Sequence, residues 1–205
     1  MMLPTGALQR FPVHYHRHQI ASGVVGEPFA TGRGAPRHHE DIWFADSFDQ
    51  PRNGGANRHD AIDIFGPMGV QITSACAGTI PATWRVGGQD RPGVGTDGDG
   101  DGGFYVVLVD VERGLYHYHS HMQQRPSVSG GDTVSAGRLL GYLGDSGKAR
   151  GNPHLHYQIS ERAANGALRR FYNPYSELRR LAAPFAQTQR TNTRVIVPVS
   201  SGGPF

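Results

Sequence analysis

The stretch GNPHLHYQIS, residues 151–160, sets His154 and His156 two positions apart. Side chains repeat every two residues along a strand, so both imidazoles leave the same face. Two further groups carry the same kind of chemistry. In RHDAIDIF, His59 and Asp63 stand four apart, an even spacing that puts both on one face of an extended segment. In YHYHSHM, His117, His119 and His121 alternate and are expected to point one way. Imidazole nitrogens and carboxylate oxygens are zinc ligands, and a catalytic zinc takes three protein ligands and leaves one position for water. One His–Asp pair and one later histidine supply three, and the remaining histidines are then available as acid, base or hydrogen-bond donors. For His59 and Asp63 alone, two solvated residues on a wet strand face is the commoner outcome. Spacing alone also fits a surface rich in solvated histidines.

These residues need strands to position them, and the surrounding pattern provides strands. Short apolar runs separated by Gly, Pro, Asn and Asp clusters predict strands near 60–65, 70–76 and 78–84. RVGGQDRPGVGTDGDGDGG, 85–103, reads as a long flexible loop. FYVVLVDV (104–111) and GLYHYHSHM (114–122) read as a hairpin turning at ERG, followed by strands near 138–143 and 154–160. NPYSELRRLA, 173–182, predicts a short helix with Pro174 at its start and Leu178 and Leu181 on one face.

Bulk composition narrows the classes. At 205 residues the chain holds one domain of about 150 residues plus extensions. The 29 glycines and 14 prolines among short apolar runs favour a β-rich fold with many turns. The net charge of +3 comes without any dense Lys/Arg run, which argues against nucleic acid as a partner, while mild basicity suits an anionic polymer such as cell wall. A single cysteine, Cys76 in QITSACAGTI, excludes an intrachain disulfide and reads as a small core residue. No apolar run approaches the roughly 18 residues of a membrane span.

Taken together, SFDQPRNGGANRHDAIDIFGPMGVQITSACAGTI, YHYHSHM and GDTVSAGRLLGYLGDSGKARGNPHLHYQIS resemble the lysostaphin/LytM-type zinc endopeptidases of bacterial cell walls, over about residues 43–182. The motifs H-x-x-x-D, a Tyr/His-rich strand ending in His, and H-x-H come in that family's order with its glycine landmarks between them. The resemblance implies a compact, mainly β, antiparallel-sheet domain with a groove over the sheet. It implies one Zn2+ per chain held by His59, Asp63 and His156, with His154 and His121 as the catalytic histidines. His119 is the rival to His121, and His117 an accessory. The activity implied is hydrolysis of peptide bonds in peptidoglycan stem peptides or cross-links by a zinc-activated water. Glycyl–glycine and D-alanyl–diaminopimelate bonds both stay open. The alternative is a non-catalytic relative that binds cell wall or activates another wall hydrolase.

Where some relatives carry a Tyr before the first ligand, this chain has Arg52 and Asn53 in PRNGGANRH; Arg52 is a candidate substitute, a solvated loop Arg the rival reading. Asp60 reads as solvated or turn-forming. DGDGDG, 97–102, resembles the start of a calcium loop, but its twelfth position is Leu108 rather than the bidentate Glu, so a flexible acidic loop is favoured. His14, His16, His18, His38 and His39 read as solvated. Trp43, Phe44 and Phe48 read as core ahead of groove lining. The domain plan is an N-terminal arm or extension (1–40), the endopeptidase domain (41–183) and a C-terminal tail (184–205). The N-terminus lacks a recognisable signal peptide, while the implied site of action is outside the cell or in the periplasm and envelope. A trimmed leader, a phage structure or a secretion system would reconcile the two. A monomer is expected.

Overall fold

The computed structural model describes residues 1–14, 42–86, 88–163 and 165–182. In chain order it contains β1 (Trp43–Phe44), β2 (Pro51–Arg52), β3 (Asn57–Arg58), β4 (Ile62–Phe65) and β5 (Gln71–Thr73). Then come β6 (Gly78–Thr79), β7 (Thr83–Val86), β8 (Gln89–Pro92), β9 (Val94–Gly95) and β10 (Phe104–Asp110). The series ends with β11 (Leu115–Met122), β12 (Thr133–Val134), β13 (Leu139–Tyr142), β14 (His154–Arg162) and β15 (Leu168–Tyr172). Among the described residues one α-helix, α1, covers 175–182.

The main sheet is antiparallel and runs β1-β4-β14-β11-β10-β6-β12, with β15 extending the β4 edge of β14 and β9 pairing with β10. Alternation assigns its two faces. On β14, Leu155, Tyr157 and Ile159 are wholly buried, while His154, His156 and Gln158 leave the other side. On β4, Ile62 and Ile64 enter the same core, so Asp63 and Phe65 face out with the histidines. Each fully buried aliphatic side chain is worth roughly 1.5–3 kcal/mol, and a one-residue slip would turn the whole set outward, which pins the register. That register sets Asp63 directly opposite His156, and His156 opposite Ser120 on β11.

The helix forms as its sequence suggests. The Asn173 side chain accepts the Tyr175 N–H at 2.9 Å, Pro174 precedes the first helical residue, and Leu178 is wholly buried. Residues 1–14, read as the start of an arm, lie along the core, with Leu3, Leu8, Phe11 and Val13 buried. Gly6 N–H donates to Glu177 Oε2 at 2.8 Å, and Arg180 donates to the Leu8 carbonyl at 2.9 Å, so this segment is tied to α1. The stretch 85–103 is not wholly loop: β7 and β8 form a hairpin inside it, and β9 adds to the sheet. Residues 15–41 and 183–205, and with them His16, His18, His38 and His39, lie outside the described residues. Among the described residues no helix is long and apolar enough to cross a membrane.

Candidate metal centre and cleft

His59, Asp63 and His156 come together, each offering one ligand atom within 4.8 Å of the others. His59 lies just before β4, where its backbone pairs with Asp49 and Gln50, so loop pairing rather than strand period brings it to Asp63. Asp63 Oδ1 stands 3.1 Å from His59 Nε2 and 3.1 Å from His156 Nδ1, and those two nitrogens are 3.3 Å apart. The tautomer of His59 is set by its other nitrogen. Nδ1 lies 2.8 Å from the Ser47 carbonyl, which can only accept, so Nδ1 carries the proton and Nε2 a lone pair. One proton at most, on His156 Nδ1, is then shared among the three converging atoms. A cation suits that arrangement, and two imidazole nitrogens with one carboxylate oxygen are the donor set of a three-ligand zinc site. Burial opposes a charge on Asp63, but the neighbouring His156, His59 and His154 outweigh it and hold the carboxyl far below the usual range.

The second Asp63 oxygen is also engaged. Arg52, on the small β2–β3 hairpin, donates to Oδ2 at 2.7 Å, so it is not merely a solvated loop residue. Ser47 binds twice, through its carbonyl to His59 and through its hydroxyl to the Asp63 N–H at 3.2 Å.

Two more histidines border the cluster. His154 Nδ1 donates to the Asn152 carbonyl at 2.7 Å, which leaves Nε2 pointing inward, 3.7 Å from Asp63 Oδ1. His121 Nδ1 donates to the Ser146 carbonyl at 2.9 Å, and its ring centre lies 4.9 Å from that of His154 and 5.9 Å from that of His156. Burial first, then the neighbouring His154 and His156, pushes the His121 pKa down to about 4, and burial lowers His154 against the pull of Asp63. Both rings are therefore neutral near pH 7, each with a free Nε2 lone pair. Thus three of the four cleft histidines are aimed by backbone carbonyls.

The expectation that His117, His119 and His121 share a face fails. His117 and His119 are wholly buried on the core side against Tyr157. His121 leaves that face because the β10–β11 register shifts between Phe104 and Val106 and His121 takes φ 65°. His119, the rival to His121, thus sits in the core. His117 Nδ1 lies 2.8 Å from the Tyr157 hydroxyl and its Nε2 3.7 Å from Cys76 Sγ. Cys76, Asp110 and His117 form a second group with ligand atoms within 4.8 Å, but all three are buried and Asp110 is ion-paired to Arg113 at 2.9 Å.

The first cluster opens into a cleft of about 760 Å3 lined by Trp43, Arg52, Phe65, His121, Lys148 and Asn152, among others. Trp43 stacks on Phe65 at 4.1 Å and so lines the cleft, whereas Phe44 is core. A larger cavity of about 1130 Å3 lies beyond Tyr118, whose ring meets His156 edge-on at 6.3 Å. Asp60 faces this second space. In the acidic loop, Asp99 pairs with Arg150 at 2.9 Å and Asp101 with Lys148 at 2.8 Å.

Residues 57–168 match the sequence profile of peptidase family M23. Among solved structures, one from Ruminococcus gnavus, assigned as a glycyl-glycine endopeptidase lytM, is 23% identical, with TM-score 0.56 over 90% of this chain and 62% of that chain. The catalytic domain of the antimicrobial peptidase lysostaphin from Staphylococcus simulans is 22% identical, with TM-score 0.49 over 67% of this chain and 92% of that one. A zinc containing peptidase from Vibrio cholerae is 19% identical, with TM-score 0.44 over 65% of this chain and 36% of that one. At this identity the first speaks to the fold; the other two add no argument.

Proposed function

The chain belongs to peptidase family M23, and from that premise we propose that it is a zinc-dependent endopeptidase acting on bacterial peptidoglycan. The observation that carries this reading is the convergence of His59 Nε2, Asp63 Oδ1 and His156 Nδ1 beside two neutral histidines at the foot of an open cleft. His59, Asp63 and His156 would hold the metal. A zinc ion so held polarises the scissile carbonyl and lowers the pKa of water to about 7.

The remaining chemistry belongs to His154 and His121. His154 Nε2 is unprotonated and stands 3.7 Å from the Asp63 carboxylate, whose charge favours an imidazolium there. It accepts the proton lost by the attacking water and returns it to the leaving amine. His121 Nε2, also without a proton, accepts a hydrogen bond and orients the water or a substrate amide N–H. The Asn152 and Ser146 carbonyls hold both rings in the tautomer these roles require. Arg52 keeps Asp63 Oδ2 occupied, which leaves Oδ1 as the single oxygen presented to the cluster.

Peptidoglycan lies outside the cytoplasm, so the site of action is the periplasm or cell surface. The test is digestion of purified peptidoglycan, from one Gram-negative and one Gly-bridged Gram-positive source, with products weighed by mass spectrometry. Chelator-sensitive cleavage lost in His156→Ala is expected, and the product masses name the bond. No cleavage of either wall by zinc-loaded protein would replace this reading with a wall-binding or hydrolase-activating one.

A further inference from the structure

His121 holds a backbone conformation that non-glycine residues seldom adopt, φ 65° at a bulge, and something must keep it there. Ser146 meets it from the loop after β13. The Ser146 hydroxyl donates to the Met122 carbonyl at 2.6 Å and accepts the Phe104 N–H at 3.0 Å, so it binds β11 and β10 together where their register shifts. Its own carbonyl accepts His121 Nδ1–H at 2.9 Å. The Asp-rich loop closes the arrangement from behind. The Gly102 carbonyl accepts His121 N–H at 2.9 Å, the Gly98 carbonyl accepts Gly147 N–H at 2.8 Å, and the Asp101 carbonyl accepts Lys148 N–H at 3.1 Å. Gly103, at φ 58°, lets the loop come this close, since a Cβ there would stand 2.1 Å from Ser146 Oγ.

We propose that Ser146 is a positioning residue for His121, and that loop 97–103 is the support that holds Ser146 and His121 in register. The proposal rests on the catalytic role given to His121 above. A hydroxyl donates and accepts at once, so Ser146 serves two backbone groups on two strands; alanine serves neither, and threonine serves both. The Lys148–Asp101 and Arg150–Asp99 pairs are exposed and screened by solvent, so the half-buried hydroxyl and the backbone bonds carry the fixation.

The experiment uses the full zinc-loaded chain with Ser146→Ala and Ser146→Thr. Steady-state kinetics on a soluble cross-linked muropeptide dimer give kcat and KM, and 15N NMR of the ring nitrogens reports the His121 tautomer without substrate. Ser146→Ala is expected to lower kcat by about 10- to 100-fold, the scale of a small misplacement, while KM and bound zinc stay at wild-type levels. The wild-type ring is expected to be a single Nδ1–H tautomer, and the Ser146→Ala ring a mixture, with Ser146→Thr restoring both readouts. Unchanged kcat with an unchanged tautomer in Ser146→Ala would overturn the proposal, as would a loss of activity that only follows a loss of zinc. If Ser146→Ala does not fold, Ser146→Cys, which keeps the bulk and weakens both hydrogen bonds, is read in its place. Should wild type cut no wall at all, the tautomer decides alone: mixing in the variant supports positioning while the peptidase reading fails.

Discussion

Two histidine groups lie on opposite faces of the same sheet and share residue types. His59, His121, His154 and His156 gather around Asp63 at an open cleft; His117 and His119 lie near Cys76 and Asp110 under the sheet. In the cleft the carboxylate faces imidazole lone pairs that have no other use. Under the sheet Arg113 takes both oxygens of the carboxylate, whereas in the cleft Arg52 takes only one, and His117 is satisfied by Tyr157 and Cys76. Burial raises the Cys76 thiol to about 12, with Asp110 adding to the effect, so the sulfur stays protonated and a poor ligand. Ligand-type residues at ligand-like distances are therefore not sufficient. What separates the groups is access, and whether the donor atoms already have partners.

The difference can be broken most sharply at its centre. Asp63→Asn and His156→Ala are expected to lose bound zinc and to lower wall cleavage by roughly a thousandfold or more, a loss that chelation of wild type reproduces. His154→Ala should retain zinc and lose about 10²- to 10⁴-fold in kcat, as expected for removal of a proton acceptor, measured on the same muropeptide substrate. Arg52→Gln, which keeps a hydrogen bond and removes the charge, should weaken zinc affinity by about tenfold in a chelator competition.

The buried group predicts a stability effect instead. Burial, then Arg113, lowers His117 from 6.5 to about 3, and burial, then His117, lowers His119 from 6.5 to about 3. Between those values the unfolded chain binds protons that the folded one refuses. Stability is thus full above about pH 6.5 and falls as pH drops toward 3, by up to about 1.4 kcal/mol per pH unit for each histidine. Urea unfolding across this window measures the slope, and His119→Leu should flatten it. His117→Gln is expected to cost about 1–3 kcal/mol of stability and to leave kcat within about threefold of wild type.

The open-face pair was legible in the sequence because His154 and His156 follow strand period on an edge-to-edge regular strand, beside turn residues. So were the β10–β11 hairpin and α1, whose apolar patterns match their periods. His59 obeys no strand period, since it precedes β4, and only the motif order joined it to Asp63. Alternation misplaced His121 because a bulge leaves no mark in residue types. The Arg52–Asp63 bond and the Ser146 contacts join segments far apart in sequence, which local spacing does not encode. The β7–β8 hairpin was hidden by polar, glycine-rich residues exposed on much of their surface. The packing of Leu3, Leu8, Phe11 and Val13 follows neither helical nor strand period, so those residues read as an arm.

Metal content of purified wild type, Asp63→Asn and Cys76→Ser, measured by mass spectrometry after exhaustive dialysis against trace zinc, tests the central claim most directly. The account predicts one zinc per chain in wild type and Cys76→Ser and none in Asp63→Asn. Zinc retained in Asp63→Asn, or lost in Cys76→Ser, would contradict it and move the metal to the buried group.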